Sequence, residues 1–155
     1  MVDLIRRRKS LKRKEAKKLL NRIAESFESV KAEKVEIAEL EDLHLYIFDN
    51  KVEFVEDTNE LYPVLSSRYI DQLPNVIVDM GAIPYVCNGA DVMAPGIVEL
   101  DDFNEGSHVV IRDVNHKKAL ALGRAKKSSK SIIDSRKGKV IENLHYVGDK
   151  LWSIL

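Results

Sequence analysis

The sequence predicts an α+β protein of two small domains, in which a helix on an antiparallel sheet is followed by a nearly closed β barrel. Two observations support this fold class. The N-terminal half has one amphipathic helical stripe and then short strands joined by a hairpin signal, and the C-terminal half has about six short strands around one glycine-bounded helix. The Leu73-Pro74-Asn75 break predicts domains of residues 1–74 and 75–155.

The N-terminal helix is predicted to begin after Ser10, a good N-cap, and to bury an apolar face. That face carries Leu19, Leu20, Ile23, Ala24 and Phe27. Strands follow at residues 35–40, 43–48 and 52–55, with Asp49-Asn50 as a hairpin turn. Residues 61–72 are interpreted as a turn and a short helix. We expect the acidic residues of this region to form a solvated outer face and its loops: Glu36, Glu39, Glu41, Asp42, Glu53, Glu56 and Asp57.

The C-terminal half is organised around residues 76–97. A strand at 76–78 leads to a helix that Gly81 opens and Gly89 ends, with Pro84 in its first turn. A strand at 90–93 then reaches Pro95-Gly96, whose order suits a type II turn. Further strands are predicted at residues 97–100, 107–114, 117–124, 140–147 and 151–152. Ser128 or Ser129 should cap a helix that ends at Gly138.

The two glycine turns are expected to leave backbone N–H groups exposed around Gly89 and Pro95-Gly96, where a flat or phosphorylated ligand could approach. The alternative is that the glycines only let the chain turn. Two interpretations are also open for Tyr85, which either stacks on a base or covers the barrel edge. Cys87 shares a helical face with Ile83, which favours a core position over a nucleophile.

Composition indicates a cytoplasmic globular protein: 45% of residues are hydrophobic, 32% are charged, and no run of 18 apolar residues occurs. We expect neither a membrane span nor secretion, and the lone cysteine fits a reducing compartment. The histidines lack metal-ligand spacing, and no nucleophile-base pair is visible. The sequence therefore predicts no metal, no cofactor and no enzymatic activity.

The net charge of zero hides two basic zones separated by an acidic one, an arrangement that matters for a polyanionic partner. The first basic zone is a candidate contact for the ribosome or RNA, against the plainer interpretation of a solvated helix face. Its candidate residues are Arg6, Arg7, Arg8, Lys9, Lys12 and Arg13. In the second zone, Lys126, Lys127 and Lys130 are candidate phosphate contacts.

Three blocks in order carry a family resemblance: VDMGAIPYVCNGADVMAPGIV, LALGRAKKS and GKVIENLHYVGDKLW. On these blocks, residues 75–155 resemble a PUA domain, an RNA-binding β pseudobarrel. The whole chain resembles the malignant T-cell-amplified sequence family and the matching part of ligatin, and LYPVL before the domain boundary also fits. The N-terminal half resembles that family only in layout. Since the chain lacks ligatin's additional domains, we expect any partner carrying them to be a separate protein.

The resemblance implies RNA binding without catalysis. It implies contact with the single-stranded 3′ end of a tRNA acceptor stem or the stem beside it, and action with the small ribosomal subunit in initiation or recycling. The RNA contacts it implies lie at Gly89, Ala90, Asp91, Val92, Met93, Ala94, Pro95 and Gly96. The alternative function is a subunit that presents tRNA or rRNA to a separate modification enzyme.

Overall fold

The computed structural model describes residues 4–155, so the first three residues of the predicted N-terminal domain lie outside the described residues. The chain forms two compact units. The first comprises the residues up to Gln72 together with Ile154–Leu155, and the second comprises Leu73–Ser153. The predicted fold class is confirmed, since the first unit is a helix on an antiparallel sheet and the second is a pseudobarrel. Among residues 4–155, no helix has the length and apolar character needed to cross a membrane.

The first unit is built on a five-stranded antiparallel sheet with the strand order β1-β2-β3-β4-β5. Its strands are β1 (Arg6–Ser10), β2 (Val35–Leu40), β3 (Leu43–Phe48), β4 (Lys51–Asp57) and β5 (Glu60–Pro63). Asp49 and Asn50 have φ values of 50° and 72°, which suit the turn of a β3–β4 hairpin. The three strands and the hairpin predicted in this region are therefore confirmed.

Two predicted elements of the first unit are wrong. Residues 6–10 form β1, which pairs with β2, so Ser10 is strand and not a helix cap. The helix α1 (Arg13–Ala24) begins after Lys12 without a side-chain cap. Residues 60–63 form β5 where a turn was predicted, and only a 3-10 turn at Ile70–Gln72 follows. Ladder pairing with β2 and β4 outweighs local sequence preference in both cases.

The core of the first unit is an aromatic cluster beneath α1. Phe27, Phe48, Phe54 and Tyr69 are all buried, and the Phe27 and Phe54 ring centroids lie 5.3 Å apart in an edge-to-face arrangement. Leu19 and Ile23 of α1 are buried as predicted, whereas Ala24 is exposed and Phe27 lies beyond the C-terminal end of the helix. Such aromatic pairs contribute about 0.5–1.5 kcal/mol beyond the area they bury.

The prediction of a solvated acidic face is wrong for three of its seven residues. Glu36 is buried and receives two hydrogen bonds from Arg8, at 2.9 and 3.0 Å, which hold the pKa of Glu36 below its usual value. Glu53 is buried and accepts from the hydroxyl of Ser67 at 2.9 Å. Glu56 accepts from Arg22 and from the Tyr46 hydroxyl. The remaining four residues are exposed or half-buried.

The second unit is a six-stranded sheet with the order β7-β11-β10-β9-β6-β8, in which β6 and β9 run parallel and the other pairs antiparallel. The strands are β6 (Asn75–Val78), β7 (Val92–Met93), β8 (Ile97–Leu100), β9 (His108–Asp113), β10 (Ala119–Ala125) and β11 (Lys139–Tyr146). The helices are α2 (Ile83–Val86) and α3 (Ser129–Ser135). Both enclose one core with the sheet, to which Val86 and Ile132 contribute.

Three local predictions in the second unit are wrong. Pro95 and Gly96 lie in a 3-10 turn, Ala94–Gly96, and not in a type II turn, because Gly96 does not have the positive φ that the third residue of a type II turn requires. Helix α3 ends at Arg136, which adopts the left-handed conformation itself, and not at Gly138. The predicted strand at 151–152 is absent from this part of the described chain, since the Trp152 N–H donates to the Asp149 carboxylate and starts a 3-10 turn.

Candidate nucleic-acid interface

An open groove of about 520 Å³ lies in the second unit, between α2 and the β7 segment. One wall comes from α2 and the turn before it, and the other from residues 90–96. The groove is lined by Asp79, Gly81, Ala82, Tyr85, Val86, Ala90, Asp91, Val92, Met93, Pro95, Gly96 and Lys139. Its volume falls within the range of ligand-binding clefts in proteins, roughly 300–1,000 Å³.

The first wall is shaped by residues 79–89. An Asp79 carboxylate oxygen accepts the Ala82 N–H at 3.0 Å and caps the 3-10 turn Met80–Ala82 that runs directly into α2. Pro84 lies in the first turn of α2, as predicted. Gly89 has a φ of +93°, which confirms the predicted left-handed residue after the helix. The chain therefore reverses tightly enough for β7 to run beside α2.

Asn143 of β11 ties the two walls together. Its side-chain amide donates to the carbonyls of Val86 and Ala90, at 3.0 and 3.1 Å, and its backbone N–H donates to Asp91 at 3.0 Å. The sequence alone does not reveal the role of Asn143, because nothing local distinguishes a strand asparagine that reaches a loop more than fifty positions earlier. Asn143 therefore fixes the position of residues 86–91 relative to β11.

The prediction of exposed backbone N–H groups around Gly89 and Pro95-Gly96 is wrong for three residues. The N–H groups of Gly89 and Ala90 donate to the carbonyls of Val86 and Tyr85, and the N–H of Ala94 donates to the Gly138 carbonyl. A Cβ added at Gly89 would lie 3.1 Å from the ring of Tyr146, so that side of the glycine is covered. Ala94 is itself buried. The accessible surface is instead the groove beside α2.

Most of the residues predicted to contact RNA in this unit line the groove. Tyr85, Ala90, Asp91, Val92, Met93, Pro95 and Gly96 are all in its walls. Tyr85 is 70% exposed and Met93 47% exposed, which places an aromatic ring and a flexible thioether on the two sides. The exposure of the Tyr85 ring argues against the interpretation that it covers the barrel edge, and stacking on a base stays a prediction.

The charges around the groove are unevenly distributed. Burial acts to raise the pKa of Asp91, but the Asn143 N–H and the Lys126 ammonium, 3.3 Å away, outweigh it and bring that pKa below its usual value. Lys139 lines the groove and was not predicted. Lys127 and Lys130 are exposed but do not line it. The positive charges of Lys126 and Lys139 both act to lower the pKa of Asp91.

The cysteine and the histidines were the remaining candidates for a catalytic or metal site. Burial raises the pKa of the Cys87 thiol, which packs against the core as predicted. Within residues 4–155, no group of three or more histidine, cysteine, aspartate or glutamate side chains could hold a metal ion. His145 is fully buried and lies 2.9 Å from Asp149.

The N-terminal basic residues separate into two sets. Arg8 is bound to Glu36, and Arg7 lies 3.7 Å from Glu39. The other four, Arg6, Lys9, Lys12 and Arg13, are exposed at the edge strand β1 and the start of α1. Two of the six basic residues therefore pair with carboxylates of the sheet, and the other four face solvent.

Two family models match the chain. The PUA domain model matches residues 74–147, and a model described as a domain of unknown function, DUF1947, matches residues 7–70.

Relatives from archaea and eukaryotes share this layout. The chain is 39% identical to uncharacterized protein MJ1432 of Methanocaldococcus jannaschii, over 96% of this chain and 97% of the relative. It is 34% identical to translation machinery-associated protein 20 of Saccharomyces cerevisiae, over 79% of this chain and 74% of the relative. It is 35% identical to malignant T-cell-amplified sequence 1 of Rattus norvegicus, over 64% of this chain and 58% of the relative.

Solved structures show the same fold. Hypothetical protein PH0734.1 of Pyrococcus horikoshii OT3 matches with a TM-score of 0.82 and 27% identity, over 96% of this chain and 99% of the other. A chain of an H/ACA RNP bound to a substrate RNA matches with a TM-score of 0.50 and 25% identity, over 61% of this chain and 29% of the other.

Proposed function

The chain belongs to the family of translation machinery-associated protein 20 and the malignant T-cell-amplified sequence proteins, and we propose that it is a non-catalytic RNA-binding protein of cytoplasmic translation. Its ligand is the single-stranded 3′ end of a tRNA acceptor stem, held in the groove of the second unit. The observation that carries this proposal is the open groove with Tyr85 exposed in one wall, Met93 in the other and Lys139 in the lining.

The chemistry of the groove suits an unpaired strand. Tyr85 offers a ring face to a base, and Met93 offers an apolar contact from the opposite wall. Base–aromatic stacking contributes roughly 1–3 kcal/mol per base and requires a base that is not already stacked in a duplex. Lys139 is placed to meet a phosphate of the same strand. Lys126, Lys127 and Lys130 extend the positive charge beyond the groove.

The N-terminal residues Arg6, Lys9, Lys12 and Arg13 form a second basic surface for the small ribosomal subunit. The family names support a place in translation. The likeness to part of an RNA-bound H/ACA RNP supports RNA as the class of ligand.

The test compares an acceptor-stem hairpin carrying a single-stranded 3′ tail with the same hairpin without it, by fluorescence anisotropy on the full chain. We expect the tail to strengthen binding. Y85A should remove roughly 1–3 kcal/mol of that gain, whereas Y85F keeps the ring and keeps the affinity. V98A, at an exposed apolar residue outside the groove lining, is the matched control. Equal binding of both hairpins would contradict the proposal.

The salt dependence gives an independent measurement. K139Q should reduce the slope of log affinity against log salt by about 0.7, the value for one phosphate contact on a single strand. K117Q is the control, because Lys117 pairs with Glu99 and does not line the groove. An unchanged slope for K139Q would place the phosphates elsewhere.

The likeness to a chain of an H/ACA RNP favours one alternative, a subunit that presents tRNA or rRNA to a separate modification enzyme. Purification of the tagged protein from its own cells decides between the two functions. Small ribosomal subunits in the eluate support the first, and a modification enzyme supports the second.

A further inference from the structure

We propose that a second surface of the second unit binds another copy of this chain, so that the protein forms a weak, two-fold symmetric dimer. This β8–α3 surface consists of the cleft between strand β8 and helix α3 and the side chains at the rim of that cleft. The residues that line it differ from those that line the groove, so the inference is independent of the proposed function.

The cleft has a volume of about 160 Å³ and lies between α3 and β8, a strand at the edge of its sheet. At the start of α3, the Ser129 N–H donates to the carbonyl of Phe103, which follows β8. Beyond the end of α3, the Gly138 carbonyl accepts the N–H of Ala94, which precedes β8. The helix and the strand therefore run antiparallel, and the two ends of the cleft are formed by different residues.

The centre of the β8–α3 surface exposes apolar side chains that the fold leaves uncovered. Val98 of β8 is 54% exposed, Ile133 of α3 is 48% exposed, and both line the cleft. The buried residues Ile97 and Ile132 complete an apolar hollow beside them. Exposed apolar side chains next to an apolar hollow are typical of contacts between proteins.

Opposite charges lie toward the two ends of this surface. Arg136, at the end of α3, lines the cleft on the side of Ala94, and within residues 4–155 no hydrogen bond or ion pair holds its guanidinium. Glu99 lies further along β8, in the direction of Phe103. It is 3.6 Å from Lys117, but both side chains are more than half exposed, and an ion pair of this kind contributes little. Each charge can therefore take a partner from another molecule.

A surface with an apolar centre and opposite charges at its ends is complementary to itself. In a dimer with a two-fold axis through the centre, the basic end of each copy meets the acidic end of the other. Glu99 of each copy then pairs with Arg136 of the partner subunit, and this pair occurs twice. The exposed Val98 and Ile133 side chains of the two copies cover one another. A phosphate-rich partner fits less well, because Glu99 repels it.

The small size of the surface limits the affinity. Eight residues line the cleft, whereas a stable interface of standard size uses about 20–30 residues on each side. The dimer should therefore be reversible, with a dissociation constant between roughly 1 μM and 1 mM.

Sedimentation velocity of the full chain over that concentration range tests the dimer. The wild type should shift from monomer to dimer and form nothing larger. E99R and R136E each place two like charges against one another across the two-fold axis, so each should weaken dimerisation at least about tenfold. An equimolar mixture of E99R and R136E restores an opposite charge in both pairs and should dimerise like the wild type. I133S keeps both charges but removes exposed apolar area, and it should also weaken the dimer.

E105R is the matched control, because it reverses a charge at an exposed residue outside the cleft, and it should dimerise like the wild type. Thermal unfolding midpoints equal to that of the wild type show that the variants fold. A wild type that stays monomeric, or that forms assemblies larger than a dimer, would overturn the proposal. The same conclusion follows if E99R and R136E dimerise as the wild type does, if their mixture stays monomeric, or if E105R loses as much affinity as they do.

Discussion

Four glycines of the second unit test how backbone strain and steric contact set its stability, because they combine the two in different ways. Gly89 and Gly138 have positive φ values of +93° and +82°, where an L side chain costs about 1–2 kcal/mol. Gly96 and Gly123 lie outside that region. Replacing each glycine with alanine also removes freedom from the unfolded chain, which stabilises by about 0.4–1 kcal/mol.

Steric contact separates the members of each pair. A Cβ at Gly138 would meet nothing within 4 Å, whereas at Gly89 it would lie 3.1 Å from the Tyr146 ring. At Gly96 the nearest atom is 3.5 Å away, an ordinary contact. At Gly123, in the irregular part of the β10–β11 ladder, a Cβ would lie 2.4 Å from Ile141 and 2.9 Å from a backbone oxygen, and overpacking of this kind costs roughly 1–3 kcal/mol.

The expected order follows from these contributions. G96A should leave the free energy of unfolding unchanged or raise it slightly. G138A should lower it by up to about 1.6 kcal/mol, and G89A should lower it by more than G138A because of the added Tyr146 contact. G123A should be among the most damaging, at about 1–3 kcal/mol.

Urea denaturation followed by the fluorescence of Trp152, the only tryptophan, reports on this unit directly. The midpoints can be compared only if the unfolding free energy falls with urea concentration at the same slope in every variant. A G123A midpoint equal to that of G96A would refute the packing argument, and G89A equal to G138A would show that the Tyr146 contact carries no cost.

Three further variants test the paired polar groups. E36Q should be less stable than the wild type at neutral pH, because Arg8 holds the pKa of Glu36 low in the folded protein. The difference in stability should shrink as the pH falls below 4.5, the ordinary pKa of a glutamate, and vanish below the lowered pKa of Glu36, as measured by hydrogen exchange of β2. E53A should cost roughly 1–3 kcal/mol, since it strands a buried hydroxyl and leaves a backbone N–H without its acceptor, and E53Q should recover most of the loss in thermal unfolding. N143A should lower the free energy of unfolding by roughly 1–3 kcal/mol and weaken the binding of tailed RNA. The control N88A, at an exposed residue after α2, should change neither property. Intact RNA binding by N143A would contradict the role of Asn143 as a tie between the walls.

Local chemistry accounts for the elements that the sequence located well. The hairpin at Asp49-Asn50, the strand before Asp79 and the left-handed Gly89 each follow from turn preference and apolar pattern within a few residues. The two elements missed in the first unit, β1 and β5, are edge strands. Their sequences are charged or contain proline, and only the ladders with β2 and β4 make them strands.

In the groove, too, the sequence located the residues that are close together in the chain and missed those that are distant. Residues 85–96 could be identified because the glycines, proline and exposed aromatic ring lie together in the chain, and most of them do line the groove. Asp79, Lys139 and Asn143 were missed, because Lys139 and Asn143 reach the site only through strand β11 and Asp79 looks like an ordinary helix cap.

By itself, the sequence determined a helix on an antiparallel sheet followed by a barrel, since apolar periodicity and turn residues act over short distances along the chain. Tertiary structure alone decided which acidic residues are buried in ion pairs and which backbone N–H groups are already bonded. Those properties depend on partners far away in the chain, and the energy of a charge or a hydrogen bond is set by what lies beside it in space.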